Sequence, residues 1–433
     1  MLHKMKKRRV AEEPYPAPGH TRPGHGKELA MRVLITAPPI LRDRKKSGIG
    51  QYTQELLAGL GRLAGAGAVH SWYPSRWMRA GQHWLNHQCA RYEAAAGRAG
   101  VRARLEVKLR GRFLNAVRAA FPVMRHPYHE TVRRSGCDLY HEPNFIALNL
   151  GIPTVVSVHD LSVLAHPEWH PPVRIRHFAC NFLPGLDFAT RLIAISEFSK
   201  SEIVRHLGWP ADRVSVTYMG VRPGLRRVGG AELTHKLNAL GLPPGYLLHV
   251  GTVEPRKNLE MLTRAYAALP AAVRERHPLV LVGGPGWRSE ALHSHLKSAG
   301  RAQNIRWLGY AADEHVAALY SGARALVFPT FYEGFGIPTI EMMACGGAVL
   351  ASTAGAVAET AGGVAHLIDP HDEAGWRDAM LRVCTDDDWW RHLQTGTEER
   401  AAQYTWDRCA RDTLEAYRLT LSQSANRDTR RAA

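Results

Sequence analysis

The chain contains no run of the roughly 18 consecutive apolar residues that a membrane-crossing helix requires, which excludes a helical integral membrane protein. Its start, MLHKMKKRRVAEEPYPAPGHTRPGHGKE, is basic but leads into no apolar core, so it does not read as a secretory signal. Residues 1–30 are expected to form a disordered basic tail. Cysteine is scarce and scattered. Cys89, Cys137, Cys180, Cys345, Cys384 and Cys409 form no CxxC pair and no framework spacing, which excludes a disulfide scaffold and suits free thiols in a reducing cytoplasm. None of them lies in a nucleophile motif. Zinc-finger spacing and RNP-type aromatic motifs are also missing, so nucleic acid is not an expected partner.

Acidic residues are in short supply: 39 Asp and Glu stand against 56 Lys and Arg, a net charge of +17. That excess favours anionic partners. From Arg76 to Arg134 the only acids are Glu93, Glu106 and Glu130, and the front of the stretch, SWYPSRWMRAGQHWL, is aromatic. Aromatic rings interleaved with cations suit an anionic membrane surface, and equally an ordinary solvated helical face with a few core tryptophans.

What is present is a repeated alternation. MRVLITAPPI is a β-branched run ending in prolines, as a buried parallel strand would. The glycine loop SGIG and the helical pattern YTQELLAGLGRLA follow it. IPTVVSVHD, TRLIAISEFS and RVSVTYMG are further apolar runs that finish in polar or glycine residues. After a Gly- and Pro-rich segment the theme recurs in YLLHVGT, HPLVLVGGPGW, NIRWLGY and ARALVFPT. This order predicts an α/β chain of two Rossmann-like, doubly wound domains facing across a cleft. The expected boundaries are an N-terminal acceptor domain over 31–222, a linker over 223–244, a C-terminal donor domain over 245–405, and a terminal helix and tail over 406–433 that crosses back to the first domain.

The stretch EGFGIPTIE places two glutamates on either side of a Gly-Pro turn. ARALVFPT reads as a strand, FYEGFG as its exit loop and IPTIEMMAC as the start of a helix, with Pro338 in the first turn, where its missing N–H costs little. Glu333 then stands on the loop and Glu341 about a turn inside the helix. Gly334 and Gly336, on either side of Phe335, let backbone approach a ligand, and free N–H groups at a helix start favour phosphate. One carboxylate can reach a sugar hydroxyl and the other a ribose. HVGTVEPRKNLEML likewise leaves a strand through Gly251 and brings Arg256 and Lys257 side by side, where they can embrace a diphosphate and stabilise its departure.

EGFGIPTIE, VGTVEPRKNL, ISEFSK and SGIGQYT together resemble the retaining glycosyltransferases of family 4, which have the GT-B fold. HEPN, VHDLS and GTVEPRKN are most similar to its mannosyltransferase-B-like branch, whose members build O-antigen and other surface polysaccharides. The resemblance covers about residues 31–420. It implies that Glu333 contacts the transferred sugar, Glu341 the ribose, and Arg256 and Lys257 the diphosphate. Gly48 and Gly50 would approach the donor across the cleft, and His159 would lie near the reacting sugar, with Asp160 positioning it or an acceptor hydroxyl. Ser196 would contact phosphate or support the loop, though it also reads as the cap of EFSKSEIVRHL. Contacts near Gly309 and Tyr310 would select the base. His141, in LYHEPN, stays open between core and site, and Gly283, Gly284 and Gly286 between phosphate loop and plain turn. Ala348 stands where the family commonly has proline.

These implications amount to hexose transfer from a nucleoside diphosphate sugar, with GDP-mannose the best guess, to a lipid-linked glycan, at the cytoplasmic face of the membrane and with no cofactor or metal. The acidic TDDDWW reads as a solvated helix start rather than a metal site. Two other classes stay open: an epimerase or hydrolase on the same fold, which would form product without an acceptor, and a binding protein for polyanions or membrane driven by charge alone.

Overall fold

A computed structural model describes residues 31–36, 48–64, 69–72, 132, 135–289, 292–294, 296, 300 and 302–432. Strands such as Thr154–Val158 (TVVSV), Leu279–Val282 (LVLV) and Ala348–Ser352 (AVLAS) are buried at every residue. Continuous apolar runs of this kind mark strands covered on both faces, as parallel sheets in α/β proteins are.

Among the described residues, two six-stranded sheets result. The first contains β1 (Val33–Thr36), β2 (Val69–Trp72), β3 (Leu139–Glu142), β4 (Thr154–Val158), β5 (Arg191–Ala194) and β6 (Val214–Val216), in the order β2-β1-β3-β4-β5-β6. The second contains β7 (Tyr246–Val250), β8 (Leu279–Val282), β9 (Ile305–Gly309), β10 (Ala323–Phe328), β11 (Ala348–Ser352) and β12 (His366–Ile368), in the order β12-β11-β10-β7-β8-β9. Every pairing is parallel. The chain reverses its progress across the sheet between β1 and β3, and again between β7 and β10. Ligands of such sheets sit outside the carboxyl ends of the strands at these reversals.

Helices Leu259–Ala267 and Glu373–Thr385 bury Leu262, Tyr266, Trp376 and Met380 on one face of the second sheet. On the first sheet, helix Gly48–Ala64 contributes Tyr52, Leu56 and Leu60. Helix Trp406–Ala432 packs beside it through Cys409, Ala410, Ala416 and Tyr417, although it follows the second sheet in the chain. The chain therefore passes between the halves twice. The two passages touch: Val221 N–H donates to the Tyr404 carbonyl at 3.0 Å, and a Cβ on Gly220 would lie 2.5 Å from the Trp406 nitrogen. Phe335 and Ile340, from the second half, lie in the same core as Val33 and Ile35.

Residues 223–244 are not a bare connector. They form helix Gly230–Ala239, and Leu237 and Leu242 are buried with Tyr246 and Leu319 in the core of the second half. Composition suggested a linker because glycine and proline crowd its ends. The acidic TDDDWW starts a helix: Asp386 caps Asp387–His392 by accepting from the Trp389 N–H. Among the described residues no helix is long and apolar enough to cross a membrane. The basic tail, and all of the basic-aromatic stretch except Trp72 and Val132, lie outside the described residues.

Candidate active site

β10 delivers Pro329–Gly336 to the cleft as its exit loop, and helix Ile337–Ala344 follows. Gly336 takes φ +88°, which favours glycine, and turns the chain into that helix. Gly334 is needed for space rather than for φ. A Cβ there would fall 1.9 Å from the His159 carbonyl oxygen, so the exit loops of β10 and β4, from opposite halves, lie backbone against backbone. Ser196 and Ser199 both donate to the Gly334 carbonyl, at 2.7 and 3.0 Å, and fasten this seam.

Glu333 is buried and meets both expected cations. Lys257 Nζ donates to its Oε1, and Arg256 lies 3.0 Å from the same oxygen. Arg256 is itself held by Glu254 at 2.6 Å and donates to the Tyr332 carbonyl at 3.0 Å. Burial acts to raise the Glu333 pKa, but the charges of Arg256 and Lys257 outweigh it and hold the carboxyl at about 2. For Arg256 burial works against the charged form, yet Glu333 and Glu254 more than offset it and push the pKa up. Burial and the adjacent Arg256 pull the Lys257 ammonium down. The cluster is thus a carboxylate locked as an anion between two cations.

Glu341 is also buried, in the opposite electrostatic setting. Arg222 Nε donates to Oε1 at 3.2 Å and the Tyr320 hydroxyl to Oε2 at 2.9 Å. Burial outweighs these contacts and raises its pKa above the usual carboxylate range.

His159 ends the buried β4 run. Its Nε2–H donates to the Pro143 carbonyl at 2.8 Å, and burial depresses its pKa, which favours the neutral ring with Nδ1 as the acceptor. Tyr52 meets the ring edge-on at 4.8 Å. Pro143 belongs to HEPN. Glu142 of that motif accepts the Asn144 N–H at 2.9 Å, so the loop that orients His159 is braced by its own carboxylate. His141 instead faces the core. Nδ1 meets the Tyr417 hydroxyl at 2.7 Å and Nε2 the Ser157 hydroxyl at 2.8 Å, which is a structural role. Asp160 accepts from the Ser162 N–H and hydroxyl at 3.0 and 2.7 Å, so it caps the next turn while it also faces the cleft.

A cavity of about 420 Å³ joins these groups. Gly48, His159 and Asp160 line it from the first half; Gly251, Arg256, Lys257, Tyr310, Glu333, Gly334, Phe335, Gly336 and Glu341 line it from the second. Three expected residues are not in its wall. Ser196 is buried as the cap of helix Glu197–Leu207, accepting from Ser199 N–H at 2.9 Å. Gly50 lies buried in the first turn of its helix. Gly309, at φ +71°, accepts from the Gly283 N–H at 2.7 Å and directs Tyr310 to the cavity. Gly283 and Gly284 do line it, and a Cβ on Gly283 would meet the Gly251 carbonyl at 1.9 Å, so that turn both shapes and walls the site. Sequence reasoning missed Arg222, Asp313 and Tyr320, which surround Glu341 from two distant segments.

The two parallel sheets, with the cation pair and two buried carboxylates beside the second sheet's reversal point, have the architecture of the GT-B glycosyltransferases. The chain belongs to glycosyltransferase family 4 and falls with its mannosyltransferase-like branch. Residues 46–225 match the model described as Glycosyltransferase Family 4, and residues 244–386 the one described as Glycosyl transferases group 1. The chain is 37% identical over 283 residues to the O-antigen chain mannosyltransferase B of Escherichia coli, covering 65% of this chain and 74% of that protein. It is 30% identical over 292 residues to the serotype-specific mannosyltransferase WbdA of Escherichia coli, of which it spans only 36%. Among solved structures, Anabaena HepE in complex with UDP and glucose superposes with a TM-score of 0.63 at 16% identity, over 89% of this chain and 99% of that one. WaaG, a glycosyltransferase involved in lipopolysaccharide biosynthesis, gives 0.59 at 14%, over 87% and 97%.

Proposed function

We propose that the protein transfers mannose from GDP-mannose to a hydroxyl of a lipid-linked glycan, with retention of anomeric configuration, during assembly of a surface polysaccharide such as O-antigen. The observation that carries this reading is the Arg256–Lys257–Glu333 cluster at the carboxyl ends of β7 and β10. Arg256 and Lys257 hold the donor diphosphate and stabilise it as it leaves. Glu333 accepts from hydroxyls of the transferred sugar, Glu341 from those of the ribose. Gly48 approaches from the opposite half, and Nδ1 of His159 accepts from the sugar beside the reacting centre. Mannose is supported by the likeness to the O-antigen chain mannosyltransferase B.

The electrostatics favour a same-face reaction. A carboxyl held at about 2 is too weak a base to deprotonate an acceptor hydroxyl near neutral pH. The hydroxyl oxygen instead forms its bond to the anomeric carbon on the face that the diphosphate leaves. The carbon–oxygen bond to the diphosphate breaks, and the departing diphosphate oxygen takes the hydroxyl proton. The two buried cations supply the positive charge that such a leaving group needs, so the proposal includes no divalent metal. The basic-aromatic stretch, Trp72 to Arg134, supports attachment to the cytoplasmic membrane face, where a lipid-linked acceptor would be met.

The test is incubation of the protein with GDP-mannose and a polyprenyl diphosphate-linked glycan, followed by NMR of the product. An α-mannosyl linkage formed only with acceptor is expected. A β linkage would refute retention, and sugar released or epimerised without acceptor would move the protein to the hydrolase or epimerase class.

A further inference from the structure

Arg222 follows β6, the last strand of the first sheet. It lies on the first passage between the halves, next to Val221, whose N–H is bonded to Tyr404 on the second passage. From there its guanidinium reaches the cavity and forks between two carboxylates. Nε lies 3.2 Å from Glu341 Oε1, and the terminal nitrogen 2.7 Å from Asp313 Oδ1. The two acids differ. The Glu341 side chain is 4% exposed, that of Asp313 54%. A buried carboxylate such as Glu341 needs a counter-charge to stay ionised.

We propose that Arg222 is a positioning residue for nucleotide binding, acting through Glu341: it keeps that carboxylate an aimed anion, able to accept from both ribose hydroxyls, while Asp313 fixes the far end of the guanidinium. This inference rests on the assignment of Glu341 to the ribose. A carboxylate has about four acceptor positions. Arg222 and Tyr320 occupy one on each oxygen, which leaves one on each for a vicinal diol. The groups facing Glu341 are Arg222 from the passage, Tyr320 and Asp313 from helix Asp313–Ser321, and Cys345 just past its own helix. Arg222 is the only cation among these. Burial already pushes the Glu341 pKa up with Arg222 in place. Without the guanidinium it rises further, which favours the protonated carboxyl, and a proton there takes up an acceptor position. Because the guanidinium is anchored on the passage, its loss also removes the link between the ribose site and that passage.

The experiment is calorimetric titration of the full-length protein with GDP at about pH 8 and about pH 6, a span across which an unperturbed carboxylate stays ionised. Wild type, Arg222→Gln, Arg222→Lys, Glu341→Gln and the double variant Arg222→Gln/Glu341→Gln are compared, each checked by circular dichroism. Wild type is expected to lose less affinity than Arg222→Gln as pH falls across this range. Arg222→Gln should bind about tenfold more weakly, the scale of one charge-assisted hydrogen bond, with the defect growing as pH falls. Arg222→Lys should restore the wild-type pH profile with part of the affinity. In the Glu341→Gln background, Arg222→Gln should add little, because the two act as a unit. An equal loss at both pH values, or the same loss with Glu341 already replaced, overturns the proposal. Wild type that binds no GDP, UDP or other nucleotide would instead sink the reading of the whole site on which this inference depends.

Discussion

Lys257 and Arg256 touch the same oxygen of Glu333, and that shared contact sets the chemistry expected at the level of single residues. Lys257→Gln is expected to lower kcat by about 10²–10³-fold, the range for a lost preorganised contact to developing charge. Glu333 retains Arg256, so the variant should still fold. Unchanged kcat in the Lys257→Gln enzyme would remove Lys257 from the mechanism. The same cluster fixes an acid limit. The Glu333 pKa is depressed to about 2, so the unfolded chain binds a proton more readily and stability falls as pH drops from about 4 toward that value. Buried histidines act earlier. His249 donates from Nδ1 to the Val327 carbonyl, and burial holds its pKa at about 4. Its protonation in the unfolded state removes stability between about pH 6.5 and pH 4. Urea denaturation at a series of pH values should show midpoints declining from near neutral downward. A midpoint that rises on acidification would contradict these signs.

At the scale of elements, the seam between the β4 and β10 exit loops is the contact most sensitive to added volume. Gly334→Ala would place a Cβ 1.9 Å from the His159 carbonyl and must part the two loops. Transfer should fall at least about tenfold, since small misplacements of reacting groups cost that much and more, while GDP binding through Glu341 is largely kept. Equal transfer rates would show that the seam is irrelevant. Helix Trp406–Ala432 offers a second check. Tyr417→Phe leaves His141 Nδ1 without its buried partner, and a loss of about 1–3 kcal/mol is expected by chemical denaturation.

Elements are also where sequence and structure part company. Arg256, Lys257 and Glu333 were legible because each stands on a loop that leaves an apolar strand, and Glu341 because it lies in the helix that such a loop enters. Arg222, Asp313 and Tyr320 were not, because they reach Glu341 from a passage and from another helix, and no local spacing encodes that approach. Ser196 has the sequence environment of a ligand and of a cap. The structure makes it a cap that crosses the seam, a contact that depends on how the halves meet.

For the whole molecule, the double passage has a thermodynamic consequence. Phe335 and Ile340 from the second half, and Trp406 and Tyr417 from the returning helix, lie in one core with the first sheet. Neither half can lose its packing without uncovering the other, so scanning calorimetry should give a single unfolding transition. Two resolved transitions would mean that the shared core is energetically minor. The alternation of strands and helices made both halves visible in the sequence. The return of the last helix places the site, since it holds Tyr52 and, through Tyr52, the ring of His159.

The central claim is that this cavity accepts a guanine nucleotide sugar, with Arg256 and Lys257 on its diphosphate. Calorimetric titration of the protein with GDP, UDP, GDP-mannose and UDP-glucose, without added metal, tests it most directly. Selective binding of GDP and GDP-mannose, lost in the Arg256→Gln/Lys257→Gln variant, is the predicted result. Preference for UDP and UDP-glucose, or affinity for GDP that survives loss of both cations, would contradict it.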